Sequence, residues 1–126
     1  MKTIELETFN STKNATSTVM VDHIVAMEPH FDRPEQCRLH LTGGKAVLPM
    51  RSPASFLELI GDYSPFIMLE IFDPVKRGMQ WAVFVGHITA ITRNDGKQDE
   101  SQVTLSDGNE LRALVAYEDL LKLVNV

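Results

Sequence analysis

Two histidines sit in matching phrases. Val21-Asp22-His23-Ile24-Val25-Ala26-Met27 is followed 64 positions later by Val85-Gly86-His87-Ile88-Thr89-Ala90-Ile91. Equivalent imidazoles that met at a symmetry axis would bind a metal or titrate near neutral pH. The rest of a ligand set is missing, because Asp22 is matched by Gly86 and no Cys, Asp or Glu at ligand spacing accompanies both rings. The plainer expectation is that His23 and His87 each cap a strand bend with a backbone hydrogen bond. His30, Asp32, Cys37 and His40 form a second group, but their spacing fits no standard zinc pattern. Strand alternation puts Cys37 on the face of Leu39 and Leu41 and turns His40 the other way, so Cys37 reads as a small core residue. Gly43-Gly44 and Gly78 are turn glycines without the strand-to-helix setting of a phosphate loop. No serine elbow or Walker-type motif is present, and no paired carboxylates are singled out. No catalytic residue, metal or cofactor is expected, and the chain is not read as an enzyme.

Charge and aromatic content point to surfaces. The net charge is −5 over 126 residues. Residues 1–62 carry six Lys/Arg and eight Asp/Glu (−2), and residues 63–126 carry six and nine (−3). That balance argues against strong nonspecific binding to a polyanion but leaves room for a local basic groove. Arg38, His40 and Lys45 with Arg51 are one candidate phosphate-contacting group. Arg93 and Lys97 with Arg77 are another. Solvated charge is the alternative for both. Trp81, the single tryptophan, is matched in the first half by Ser17, so it serves either core packing or a partner surface. Phe66–Phe72 is apolar on both faces, whereas its counterpart carries Glu5 and Glu7. Phe66, Met68, Phe72 and Trp81 are therefore candidate interface residues, set against a central position in a sheet.

The elements that must position these residues are legible as a repeat. The 64-residue offset also pairs Leu41 with Leu105, Gly44 with Gly108, and Leu57 with Leu121. An offset of 63 aligns Thr3–Asn10 with Phe66–Asp73. A fixed period of this coverage reads as a duplication. In each half, alternation and turn residues predict four strands. In the first half these fall near Ile4–Glu7, Thr18–Met27, Cys37–Leu41 and Ala46–Met50, with a kink at Asp22-His23. A helix then opens at Ser52-Pro53, an N-cap followed by proline in the first turn. In the second half the strands fall at Phe66–Phe72, Met79–Ile91, Gln102–Leu105 and Leu111–Val115, with a helix over Tyr117–Val124. The expected fold is α+β and β-rich: two ββββα repeats, 3–60 and 66–124, forming one pseudo-two-fold domain. Ile24, Leu39, Leu41, Leu57 and Ile60 should be buried with Ile88, Val103, Leu105, Leu121 and Val124.

The phrases Val21–Glu28 and Cys37–Lys45, followed by Ser52–Ile60, resemble the small FlbD-type flagellar and swarming-motility proteins. They are also similar to the C-terminal half of LytTR-type DNA-binding domains, where an Ile-containing strand precedes a Gly turn and a terminal helix. The chain departs from both in carrying two units, and it lacks the basic character of a LytTR reader. The resemblance implies a small bacterial regulatory protein and supplies no catalytic residues. The expected function is a non-enzymatic interaction or adaptor module with a regulatory role, binding a protein partner and pairing as a homodimer. The alternative is a nucleic-acid-binding transcriptional regulator of LytTR-like type. A lone cysteine and the polar start Met1–Glu5 point to the cytoplasm. The apolar runs are too short to cross a membrane.

Overall fold

The structure, a computed structural model, describes residues 2–9, 14–61 and 63–125. Residues 10–13 of the expected hairpin loop at Asn10–Ser17 lie outside them, and 14–17 are strand rather than loop. The first strand, β1 (Thr3–Phe9), alternates exposed and buried at every residue, with Ile4, Leu6 and Thr8 inward. It pairs antiparallel with β2 (Asn14–Met20). One turn of 3-10 helix, Val21–His23, then leads to β3 (Ile24–Pro29). The single kinked strand expected over Thr18–Met27 is therefore two strands in two different sheets. The change of phase at Asp22-His23 marks the change of sheet. β4 (Cys37–Leu41), β5 (Ala46–Val47) and α1 (Pro53–Ile60) follow. The Ser52 hydroxyl accepts the Ser55 N–H at 3.2 Å at the start of α1, as an N-cap should.

The second half runs β6 (Phe66–Glu70), β7 (Gln80–Phe84), a 3-10 turn at Val85–His87, β8 (Ile88–Arg93), β9 (Ser101–Leu105), β10 (Glu110–Ala113) and α2 (Tyr117–Val124). The class is α+β and β-rich. Each half has five strands and a helix rather than four and a helix, because both long strands are broken by a 3-10 turn. The pairings of one half recur in the other. Ile24 faces Leu41 and Ile88 faces Leu105, with the same irregularity in the next two residues. The bridges Thr8–Pro49 and Ile71–Ala113 also correspond. Gly44 and Gly108 hold equivalent turns at φ of 81° and 92°, a region that side chains strain.

Three sheets result, with strand orders β1-β2, β5-β4-β3-β7-β6 and β10-β9-β8. The five-stranded sheet is the middle layer, with a core on each face. Ile24, Met27, Leu39, Ala82 and Phe84 face the first core with Ile4, Leu6, Val19, Phe56 and Ile60. Val25, Ala26, Leu69 and Val83 face the second with Val103, Leu105, Leu111 and Leu120. This accounts for much of the apolar run at Phe66–Phe72: Phe66 packs toward the first core and Ile67, Leu69 and Ile71 toward the second, although β6 is an edge strand and not a central one, and Met68 and Phe72 stay exposed. Of the expected core, Leu41, Leu57, Ile88, Leu121 and Val124 are only half-buried. The helices anchor instead through Phe56 and Leu120, both fully buried. A two-turn helix sinks one narrow stripe into a core, and residues beside that stripe stay at the rim.

The halves join in one direction. β7 pairs with β3 through Ala26–Val83 and Met27–Ala82. Among the described residues, the corresponding edges of β2 and β8 do not pair with each other. A two-fold would require both joints, so the arrangement is stepwise rather than the pseudo-two-fold expected.

Candidate functional site

Antiparallel pairing carries the longer loops to one end of the molecule. Loops 30–36, 71–79 and 94–100 follow β3, β6 and β8 there. Neighbouring loops line shared grooves, one of about 510 Å³ between 30–36 and 71–79 and one of about 530 Å³ between 71–79 and 94–100. Both helices begin at this end. Ser52 borders Glu35 and Gln36, and Tyr117 borders Asn94–Glu100.

Each loop is held by a side chain at or near its start. His30 Nδ1 accepts the backbone N–H groups of Asp32 and Arg33 at 3.2 and 3.1 Å. The neutral ring therefore carries its proton on Nε2. Phe31, half exposed, stacks on the same ring at 4.9 Å. The Asp73 carboxylate accepts Val75 and Lys76 N–H at 2.8 and 3.0 Å. Asn94 Oδ1 accepts the Gly96 N–H at 3.1 Å. Side chains of this kind replace a backbone turn and order the loop around them.

The charges at this end sort into two kinds. Some are spent on structure. Arg112 makes two bonds to the buried Glu100 carboxylate, and Lys97 adds its ammonium at 3.6 Å. The Arg112 hydrogen bond holds the Glu100 carboxyl below the usual range. The same guanidinium lies 4.2 Å over the Phe72 ring. Arg93 binds Glu118 at 2.6 Å and lies over Tyr117; its hydrogen bond likewise lowers the Glu118 pKa. Arg33, Arg38, Lys76 and Arg77, in contrast, are exposed and enter no ion pair among the described residues; Arg51, also exposed and outside any ion pair, donates to the Ser55 hydroxyl at 2.9 Å. The opposite end, made of the 3-10 turns and turns 42–45 and 106–109, has Lys2, Lys45 and Lys122 as its described lysines and arginines, with Lys2 held over the Tyr63 ring. An end with four uncommitted cations, three on pinned loops and Arg38 at the start of β4, can engage a polyanion.

The sequence candidates are dispersed by the fold. His23 and His87 lie at the opposite end, each closing a 3-10 turn. Their Nδ1 atoms bond Thr42 and Ser106 hydroxyls at 2.8 and 2.7 Å. His87 Nε2 also donates to the Asp22 carbonyl at 2.6 Å, tying the two halves. Neither ring caps its own bend through the backbone as expected: both bond a hydroxyl, and the one backbone acceptor, that of His87, belongs to the other half. Among the described residues no group of three His, Cys, Asp or Glu is placed to hold a metal. Cys37 is buried, which pushes its pKa up to about 11. His40 bonds Glu28 at 2.8 Å and stacks flat on Trp81 at 5.3 Å. Trp81 is half-buried against the second core, while Phe66 packs toward the first, so they lie on opposite faces of the middle sheet. Met68 and Phe72 are exposed. Of the cationic groups read from sequence, Arg77 and Lys97 share a groove, whereas Lys45 is separated from Arg38 by the length of a strand. Arg33 and Lys76 were not singled out in sequence. Their position between turn residues was the available signal, but which loops meet is set by strand pairing.

No protein-family model matches the chain, and no curated protein matches it. Among solved structures, it is similar to the LytTr DNA-binding domain of a putative methyl-accepting/DNA response regulator from Bacillus cereus. The TM-score is 0.62 at 15% identity, covering 100% of this chain and 99% of that one. This overturns the expectation of an adaptor module as the leading reading and favours the nucleic-acid-binding alternative. The fold of this chain is LytTR-like.

Proposed function

We propose that this chain is a nucleic-acid-binding module of a bacterial transcriptional regulator, contacting duplex DNA with its loop end. The observation that carries the reading is the gathering of Arg33, Lys76 and Arg77 on neighbouring pinned loops, with Arg38 beside them at the start of β4, in a chain whose net charge is negative. Such side chains neutralise phosphates and set the orientation of the protein on the duplex. The His30 Nε2–H and the exposed Phe31 and Val75 supply one donor and two apolar groups that can address base edges. A LytTR-type fold neighbour described as DNA-binding supports the same assignment. The recurring registers support a tandem origin from two units, 3–60 and 66–124. The flagellar FlbD-type likeness plays no part in this reading. No catalytic step is assigned. Among the described residues no helix is long and apolar enough to cross a membrane, and a cytoplasmic site of action fits a DNA ligand.

Selection from a randomised duplex pool at low salt tests the proposal. The wild type should retain and enrich duplexes. A Lys76→Glu/Arg77→Glu variant that melts like the wild type should retain far less. Failure of the wild type to retain any duplex at about 50 mM salt, where phosphate contacts are strongest, overturns the reading.

A further inference from the structure

The one-way joint between the halves leaves two matching edges unused. β3 takes β7 on one side, and β8, which occupies the place of β3 in the second half, has β9 as its one described partner. β2 occupies the place of β7 and has β1 as its one partner among the described residues. We propose that the free edge of β8 takes β2 of a second copy, so that chains join head to tail as the two halves join within one chain.

The internal joint supplies the register. It pairs Ala26 with Val83 and Met27 with Ala82. Moving both strands by the 64-residue repeat offset places Ala90 opposite Val19 of the second copy and Ile91 opposite its Thr18. The side chains at both edges suit this docking. Phe84 crosses the internal joint to fill the first core and is fully buried. Its counterpart Met20 is 40% exposed, and docking carries it toward the second core of the neighbour, beside Ile91. Ala26 is fully buried under β7, while its counterpart Ala90 lies exposed. Neither edge has the protection that keeps free strands apart. Asn14–Met20 contains no charged residue and no proline, and Ile88–Arg93 has a single charge, at its end.

The joint is weaker than the internal one. Thr89 stands where the core residue Val25 does, and Thr18 and Ser17 stand where Ala82 and Trp81 do. Assembly is therefore concentration-dependent. A head-to-tail contact does not close at two copies, which distinguishes this arrangement from a two-fold dimer. It is independent of DNA binding, since it uses strand edges and none of the loop cations.

Sedimentation velocity and light scattering of the whole chain, from tens of micromolar upward, test it. The average mass should rise above the 14.1 kDa monomer and continue past twice that value. Ala90→Lys blocks the β8 edge and Thr18→Lys blocks the β2 edge. Both positions are exposed, and thermal melting checks that each variant is folded. Each variant alone should stay monomeric, and an equimolar mixture should form a dimer that grows no further. A monomeric wild type up to 1 mM, a wild-type mass that levels off at two copies, variants that still self-associate, or a mixture that forms no dimer would each overturn the proposal.

Discussion

Neutralising loop cations should flatten the salt dependence of DNA binding by a calculable amount. Arg33, Arg38, Lys76 and Arg77 are the exposed cations at the loop end that have neither a carboxylate nor a side-chain hydrogen-bond partner among the described residues, Arg51 being bonded to the Ser55 hydroxyl. If each meets one phosphate, the slope of log K against log salt is about −3.6, from roughly −0.9 per contact. Raising salt from about 50 to 200 mM then lowers affinity about 150-fold. Lys76→Ala/Arg77→Ala removes two contacts, so the slope falls to about −1.8 and the same salt step costs roughly 12-fold. Arg93→Ala should change the slope little, because its guanidinium already serves Glu118. Fluorescence anisotropy of a labelled duplex, titrated at four or more salt concentrations, measures each slope. A double variant that keeps the wild-type slope would show that this loop does not touch phosphate. A wild-type slope near zero would refute the electrostatic reading of the whole end.

Three further outcomes follow from burial and pairing. Phe56→Ala should cost about 3–5 kcal/mol and Leu120→Ala about 2–5, since both are fully buried; urea titrations should show the rim residue Leu57→Ala costing less. Glu100 has a lowered pKa in the fold, so its contribution is fully present above the unfolded carboxyl value of about 4.3 and is lost as pH falls through the folded value. The midpoint gap between wild type and Glu100→Gln should accordingly be largest near neutral pH and shrink below pH 4. Cys37, buried and with a pKa of about 11, should resist alkylation at pH 8 in the folded protein and react readily in denaturant; fast labelling of the native chain would contradict its placement.

The fold class and much of its internal order were legible because they rest on local pattern. Strand alternation marked β1, β4 and β9. Ser52-Pro53 marked the start of α1, and the recurrence of Val21–Met27 at Val85–Ile91 anticipated two sets of matching elements. The phase shift at Asp22-His23 was visible too, but whether a strand bends or changes sheets depends on what lies beyond it. The apolar run from Phe66 showed that both faces are covered without showing where the strand sits. At the edge of the middle layer, β6 turns apolar residues to both cores, with Leu69 buried and Phe66 half-buried, yet leaves Met68 exposed where a central strand would cover it. Helix residues Leu57 and Leu121 looked as apolar as Phe56 and Leu120, and only the direction in which each short helix meets its sheet selected the buried pair. The site was the least legible part. Arg33 and Arg38 are far along the chain from Lys76 and Arg77, and each alone reads as solvated charge. They come to one end because β3 and β6 both finish there, a consequence of sheet order that no local sequence pattern encodes.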